Sequence, residues 1–156
     1  MHGLPSEQEV PLGREIELVE HYLEIELIRF HDRLTVGWDV DPVARNAAVP
    51  ALALQPLVEN AILHGTSPLA GPGQITICAA VQGSALVITV RDNGAGPSAA
   101  RTNRSARNGT RIGIANLRER LERLYGTAAA LDLADAPGGG ALATLTLPFR
   151  AAGETA

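Results

Sequence analysis

Apolar residues recur in the first part of the chain at Leu12, Ile16, Val19, Leu23, Leu27 and Phe30, with spacings of four, three, four, four and three. That period belongs to one face of an α-helix and predicts a helix over residues 12–31, with Pro11 suited to its first turn. Leu18, Tyr22 and Ile25 make a second apolar stripe, so this helix has material for two surfaces, the second available to a neighbouring domain. Leu34-Thr35-Val36-Gly37-Trp38-Asp39-Val40 alternates as a strand and is ended by Asp41-Pro42. A second helix is predicted over 50–64, bent at Pro56, which has no N–H for the hydrogen-bond ladder. After a turn-rich stretch, strands over 74–82 and 85–92 joined at Gly83-Ser84 read as an antiparallel hairpin. Pro97 to Asn108 is polar, small and dotted with arginine, the composition of a mobile loop.

Ile114, Leu117, Leu121 and Leu124 then predict a third helix, closed by Gly126, with Arg118–Glu122 and Glu119–Arg123 as i,i+4 pairs. Strands over 128–133 and 141–148 follow, linked by Asp135-Ala136-Pro137-Gly138-Gly139-Gly140. Hairpin strands with three helices predict an α+β, two-layer sandwich in which a mixed, mainly antiparallel sheet is covered by about three helices.

Length and composition narrow the partners. The 156 residues suit one domain, read here as 12–149 with an N-terminal extension (1–11) and a C-terminal tail (150–156). Two Phe, two Tyr and one Trp leave the core to aliphatic side chains. A net charge of -4 gives no general attraction for nucleic acid, so none is expected as a partner. A single cysteine, Cys78, excludes an intramolecular disulfide framework and fits a reducing, cytoplasmic compartment. No apolar run approaches the roughly 20 residues that span a bilayer.

Three stretches carry candidate chemistry. Asn60 and His64 lie four apart on the predicted second helix, hence on one face, with Glu59 beside them. Asn60 offers a neutral oxygen suited to a hard cation that keeps its waters. The same residues read equally as the solvated polar face of an ordinary helix. Asp92 ends an apolar strand ahead of Asn93-Gly94-Ala95-Gly96, where Gly94 and Gly96 permit close backbone approach and the carboxylate is placed to accept from an exocyclic amine. Asp-Asn-Gly is also a common strand-ending turn. Gly109-Thr110-Arg111-Ile112-Gly113 brackets the start of the third helix, where free N–H groups favour anions. It is neither a Walker loop nor a Rossmann fingerprint. Arg101, Arg104, Arg107 and Arg111 either neutralise phosphate or face solvent.

The runs Tyr22-Leu23-Glu24-Ile25-Glu26-Leu27-Ile28-Arg29-Phe30 and Pro50-Ala51-Leu52-Ala53-Leu54-Gln55-Pro56-Leu57-Val58-Glu59-Asn60-Ala61-Ile62-Leu63-His64-Gly65 resemble the catalytic domain of LytS-type sensor histidine kinases, within the GHKL ATPases and their Bergerat fold. The resemblance covers about residues 10–149 and takes in the Asp92 and Gly109–Gly113 motifs in order. It implies ATP and Mg²⁺ as ligands: Asn60 holds the metal, Glu59 polarises the nucleophile, His64 approaches phosphate, and Asp92 reads the adenine amino group. It likewise implies that Gly94 and Gly96 accommodate base and sugar, that Gly109, Thr110, Arg111, Ile112 and Gly113 form the second glycine motif, and that Thr144 lies near adenine, although Thr144 reads as well as one face of an alternating strand. The implied partners are a phosphoacceptor helical domain, a downstream response regulator and, for a full-length parent, a second copy; the resemblance leaves open whether such a parent is anchored in the inner membrane. The chain departs from the family in lacking a Pro-His-Phe phosphoacceptor context and in carrying Leu63 where relatives often have lysine. An ATPase, a serine-directed anti-sigma-type kinase and a nucleotide-binding module without transfer activity are the alternatives.

Overall fold

A computed structural model describes residues 9–29, 33–66, 72–94 and 104–152. In chain order the elements are β1 (Glu9–Pro11), α1 (Leu12–Arg29), β2 (Leu34–Val40), α2 (Pro42–Arg45), β3 (Ala48–Pro50), α3 (Leu54–Asn60), a π-helical turn (Ala61–Thr66), β4 (Gly73–Gln82), β5 (Ala85–Asp92), α4 (Arg104–Tyr125), a 3₁₀ turn (Gly126–Ala128), β6 (Ala130–Asp135) and β7 (Ala141–Pro148).

Alternation in the strands builds a five-stranded sheet of order β2-β4-β5-β7-β6. Its β2–β4 pair is parallel and the other three pairs are antiparallel. Leu86, Ile88 and Val90 of β5 and Ala143, Leu145 and Leu147 of β7 point to one face of the sheet, where α1, α3 and α4 cover them in a single apolar cluster. Ile16, Val19, Leu23, Leu57, Val58, Leu117 and Leu121 supply the helical side of that cluster. No aromatic side chain is fully buried among the described residues, and Trp38, Tyr22, Tyr125 and Phe149 pack at its margin. The α+β two-layer arrangement and the mainly antiparallel sheet match the expectation.

Several boundaries differ. The helix expected over 50–64 starts at Leu54, because Ala48–Pro50 pairs with Glu9–Pro11 as a two-stranded ribbon. Pro56 sits in the first turn of α3, where its missing N–H has no intrahelical partner to lose, which removes the ground for the expected bend. The winding changes farther on, at Ala61, where α3 opens into the π turn. The loop expected over 97–108 and the helix expected after Gly113 are also revised: Arg104–Gly113 already belongs to α4. Gly126 ends that helix with φ +60°, as a glycine C-cap should. Arg118 donates to the Leu131 carbonyl at 3.2 Å, and neither expected i,i+4 pair on α4 forms an ion pair among the described residues. At the ends, Glu9 accepts from Tyr125 Oη at 2.6 Å and pairs with Arg150, while Ala48 N–H donates to the Arg150 carbonyl.

Candidate nucleotide site

The candidate residues lie at the C-terminal end of α3, at the end of β5 and in the turn before β7. Asp92 closes β5 on the helix-covered face and is 3% exposed. Its Oδ1 accepts the Gly94 N–H at 2.9 Å and the Ala141 N–H at 3.2 Å, and Oδ2 has no partner among the described residues. Burial pushes the Asp92 carboxyl above the ordinary carboxylate range, with the two backbone N–H groups pulling weakly the other way. A buried carboxylate with one spare oxygen is a ready acceptor for an amine. Asn93 secures the turn by accepting from Gln74 N–H at 2.8 Å and donating to the Pro72 carbonyl at 3.2 Å.

A residue the sequence reading passed over locks this turn. Gly140 has φ +91°, and a Cβ there would stand 1.9 Å from the Asp92 carbonyl oxygen. Only glycine allows the Gly138–Gly140 turn to lie on the Asp92 backbone, which brings Ala141 N–H to the carboxylate. The glycine run was visible; its contact, made between strands in space, was not.

Asn60 ends α3, is 8% exposed, and its side-chain amide has no hydrogen-bond partner among the described residues. Buried amides are normally satisfied, by protein groups or by ordered water. Glu59, half-buried, accepts from Gln55 Nε2 at 2.9 Å. It lies close enough to Tyr22 of α1 to contribute, after burial and Glu26, to pushing that phenol up to about 12. The π turn packs against β4, β5 and α4 and so joins the Asn60 helix to the strand that ends in Asp92. Its i→i+5 winding removes the α-helical geometry on which the four-residue Asn60–His64 spacing rested. The side chain of His64 is outside the described residues.

The remaining expectations divide. Gly94 is described, as the donor to Asp92, whereas Gly96 and Arg101 lie outside the described residues. Gly109, Thr110, Arg111, Ile112 and Gly113 fall inside α4, whose first residue is Arg104, so in this arrangement they do not bracket a helix start. Their sequence hides this, since two glycines and an asparagine read as a loop although Arg104 to Arg107 are good or neutral helix formers. The side chains of 104–112 are outside the described residues. Gly113 faces α3, its Cβ position 3.8 Å from Pro56 Cβ. Thr144 pairs with Thr89 and Asp132 on the sheet face opposite Asp92, and the β7 residue beside Asp92 is Ala141, through its backbone. Strand alternation decides this, because Ala141, Ala143 and Leu145 point inward and Thr144 outward. Among the described residues no group of three His, Cys, Asp or Glu gathers as a metal site, and no helix is long and apolar enough to cross a membrane.

Residues 47–151 match the sequence profile of the histidine kinase-, DNA gyrase B-, and HSP90-like ATPase family. The chain belongs to that family. Within this ATPase family it resembles sensor histidine kinases: it is 39% identical over 126 residues to the sensor histidine kinase YpdA of Escherichia coli K12, covering 79% of this chain and 22% of that protein. It is 37% identical over 128 residues to the sensor protein LytS of Staphylococcus haemolyticus, covering 78% of this chain and 22% of LytS. The chain thus spans about a quarter of the length of the curated relatives it matches. Among solved structures, the catalytic domain of histidine kinase ThkA superposes with a TM-score of 0.66 at 18% identity, over 90% of this chain and 93% of that one, a likeness of fold. The histidine kinase domain of Erythrobacter litoralis EL346 gives 0.59 at 26% identity, over 89% and 61%. The expected ATPase fold and kinase relationship are therefore established for this chain.

Proposed function

We propose that this chain binds Mg²⁺-ATP between the end of α3, the Asp92 turn and the N-terminal part of α4, and presents the γ-phosphoryl group to a histidine on a separate helical domain. The observation that carries the reading is that two buried polar groups are incompletely satisfied among the described residues, Asp92 at Oδ2 and Asn60 at its side-chain amide. Asp92 accepts the adenine amino group; guanine would set its own carbonyl against that oxygen, so the site selects ATP over GTP. Gly94, with Gly96, leaves room for base and sugar.

The Asn60 amide fits a metal role, as a neutral oxygen donor for a hard cation that takes most of its other ligands from phosphate and water. When bound, Mg²⁺ neutralises phosphate charge. Glu59 orients and polarises the incoming imidazole, while His64, Thr110 and Arg111, with Gly109, Ile112 and Gly113 giving backbone approach, lie along the phosphates. Catalysis then rests on positioning and charge neutralisation. The acceptor would pass the phosphoryl group to a response regulator; in one solved structure ThkA is in complex with the response regulator TrrA. The parent works as a homodimer with this domain on the cytoplasmic side, whether or not it is anchored in the inner membrane.

Calorimetric titration with ATP and GTP, with and without Mg²⁺, on the wild type and Asp92→Asn, tests the reading. Saturable ATP binding that GTP fails to reproduce and the variant loses is expected. A folded wild type that binds no adenine nucleotide overturns it. Transfer is checked by adding a separately produced acceptor domain from a similar kinase and following labelled phosphate onto its histidine.

A further inference from the structure

The helix that carries Glu59 and Asn60 does not start on a capping residue of its own. Its N-cap position is Ala53, which offers no side-chain hydrogen bond, and the preceding residue, Leu52, is held at φ +62° although it is not glycine. The groups that hold this segment come from two other helices. Glu15 of α1, 2% exposed, reaches across with both carboxylate oxygens: Oε2 accepts the Leu52 N–H at 2.9 Å and Oε1 accepts the Leu54 N–H at 3.3 Å. From the opposite side Arg120 of α4 donates to the Ala51 carbonyl. No cation forms a salt bridge with Glu15 among the described residues, so its buried carboxyl oxygens are satisfied by these backbone N–H groups at the start of α3.

A buried carboxyl group that lost these N–H partners would be costly, and a left-handed leucine is strained; together they over-determine where α3 begins. Asn60 lies six residues past Leu54, so any change of angle or register at the start of α3 is carried along a short rigid rod to the amide. Asp92, by contrast, is held by Gly94, Ala141 and Gly140 and touches neither Glu15 nor Arg120.

We infer that Glu15 is a positioning residue for the metal–phosphate half of the nucleotide site: it sets α3 so that Asn60 meets the cation, while leaving the adenine half untouched. Arg120 is the second arm of the same clamp and ties α3 to the helix that contains the Gly109–Gly113 motif. The inference rests on the proposed Mg²⁺-ATP reading and adds to it a residue 45 positions away in sequence from the one it serves.

Glu15→Gln and Glu15→Ala in the whole chain test it. Glutamine keeps one oxygen acceptor but turns an N–H₂ toward the second backbone N–H; alanine removes both acceptors. In the nucleotide-free protein, amide exchange at Leu52 and Leu54 should accelerate in both variants while Gly94 and Ala141 keep wild-type protection. In calorimetry, the tightening of ATP binding by Mg²⁺ should fall by about tenfold in Glu15→Gln and further in Glu15→Ala, whereas metal-free binding of adenosine stays within about twofold. A merely structural role would weaken both halves alike. Wild-type binding with an intact Mg²⁺ effect in a folded Glu15→Gln overturns the inference alone; a wild type that binds no adenine nucleotide overturns it together with the reading beneath it. If Glu15→Ala fails to fold, Glu15→Gln decides.

Discussion

Gly140→Ala isolates one contact on which the adenine half of the site depends. In the native turn a Cβ at this position would stand 1.9 Å from the Asp92 carbonyl oxygen, 2.7 Å from its carbon and 3.0 Å from Asn93 Cα, all backbone atoms that no rotamer change can move aside. Relaxing the shortest contact to the 3.4 Å of an ordinary close approach takes about 1.5 Å of backbone displacement. The Ala141 N–H to Asp92 Oδ1 bond, already 3.2 Å long, does not survive a shift of that size. Losing a hydrogen bond to a carboxylate costs about 1.5–3 kcal/mol. Holding alanine at φ +91° costs a further 1–2 kcal/mol, roughly. A total of about 3–5 kcal/mol lowers Tm by about 6–20 °C in a domain of this size. Gly139→Ala is the control: φ is +111° but its Cβ position has nothing within 4 Å, so only the backbone strain is charged to it. Denaturant unfolding of both variants, with ATP calorimetry, reads the difference. Equal stabilities for the two, or a Gly140→Ala protein that binds ATP like the wild type, would refute the reasoning.

Further outcomes follow from other features of the fold. Because burial raises the folded-state pKa of Asp92 above its unfolded value, its contribution to stability is fully present below the unfolded pKa, near 3.8, and is lost as pH rises through the folded value; unfolding across that window, compared with Asp92→Asn, should show the wild type losing relative stability on the alkaline side. On the proposed role of Asp92 nucleotide binding runs the other way, weakening as acid protonates the carboxylate proposed to accept the adenine amine, and calorimetry at stepped pH checks it. Leu57→Ala, at a residue 1% exposed between sheet and helices, should cost about 2–5 kcal/mol in denaturant unfolding. Leu52→Gly should relieve the left-handed strain at a residue 54% exposed and raise stability by up to about 1 kcal/mol, measured the same way.

How far the sequence could be read depended on where each signal resides. α1, β2 and the β4–β5 hairpin were legible because period and turn residues are local and repeated over seven or more positions. β1 and β3, three residues each, and α2, four residues behind Pro42, are too short to show a period. The Asp92 and Asn60 stretches stood out by residue type, and the structure gives each a buried polar group with a spare valence. What could not be read was everything fixed by long-range contact. Ala141 serves Asp92 with a backbone N–H that any residue has, Gly140 is fixed by the Asp92 carbonyl, and Glu15 looks like one more acid among Glu17, Glu20 and Glu24 until α3 is set against it. The π turn after Asn60 carries no sequence mark at all.

Both halves of the proposed site depend on pairings between strands far apart in the chain, β2 with β4 and β5 with β7. Asp92 sits on a hairpin whose strands are joined by two residues, but the Ala141 N–H that serves it comes from β7, 49 positions along the chain, so that half also closes through a distant pairing. Asn60 lies in the long crossover between β2 and β4, where Val40 pairs with Ala79, and its helix is placed only once that distant pairing has closed. Loop-closure entropy makes such pairing slow. Neither the Asp92 turn nor the Asn60 helix is therefore set by a stretch of neighbouring residues, and the proposed site is complete only when the sheet is.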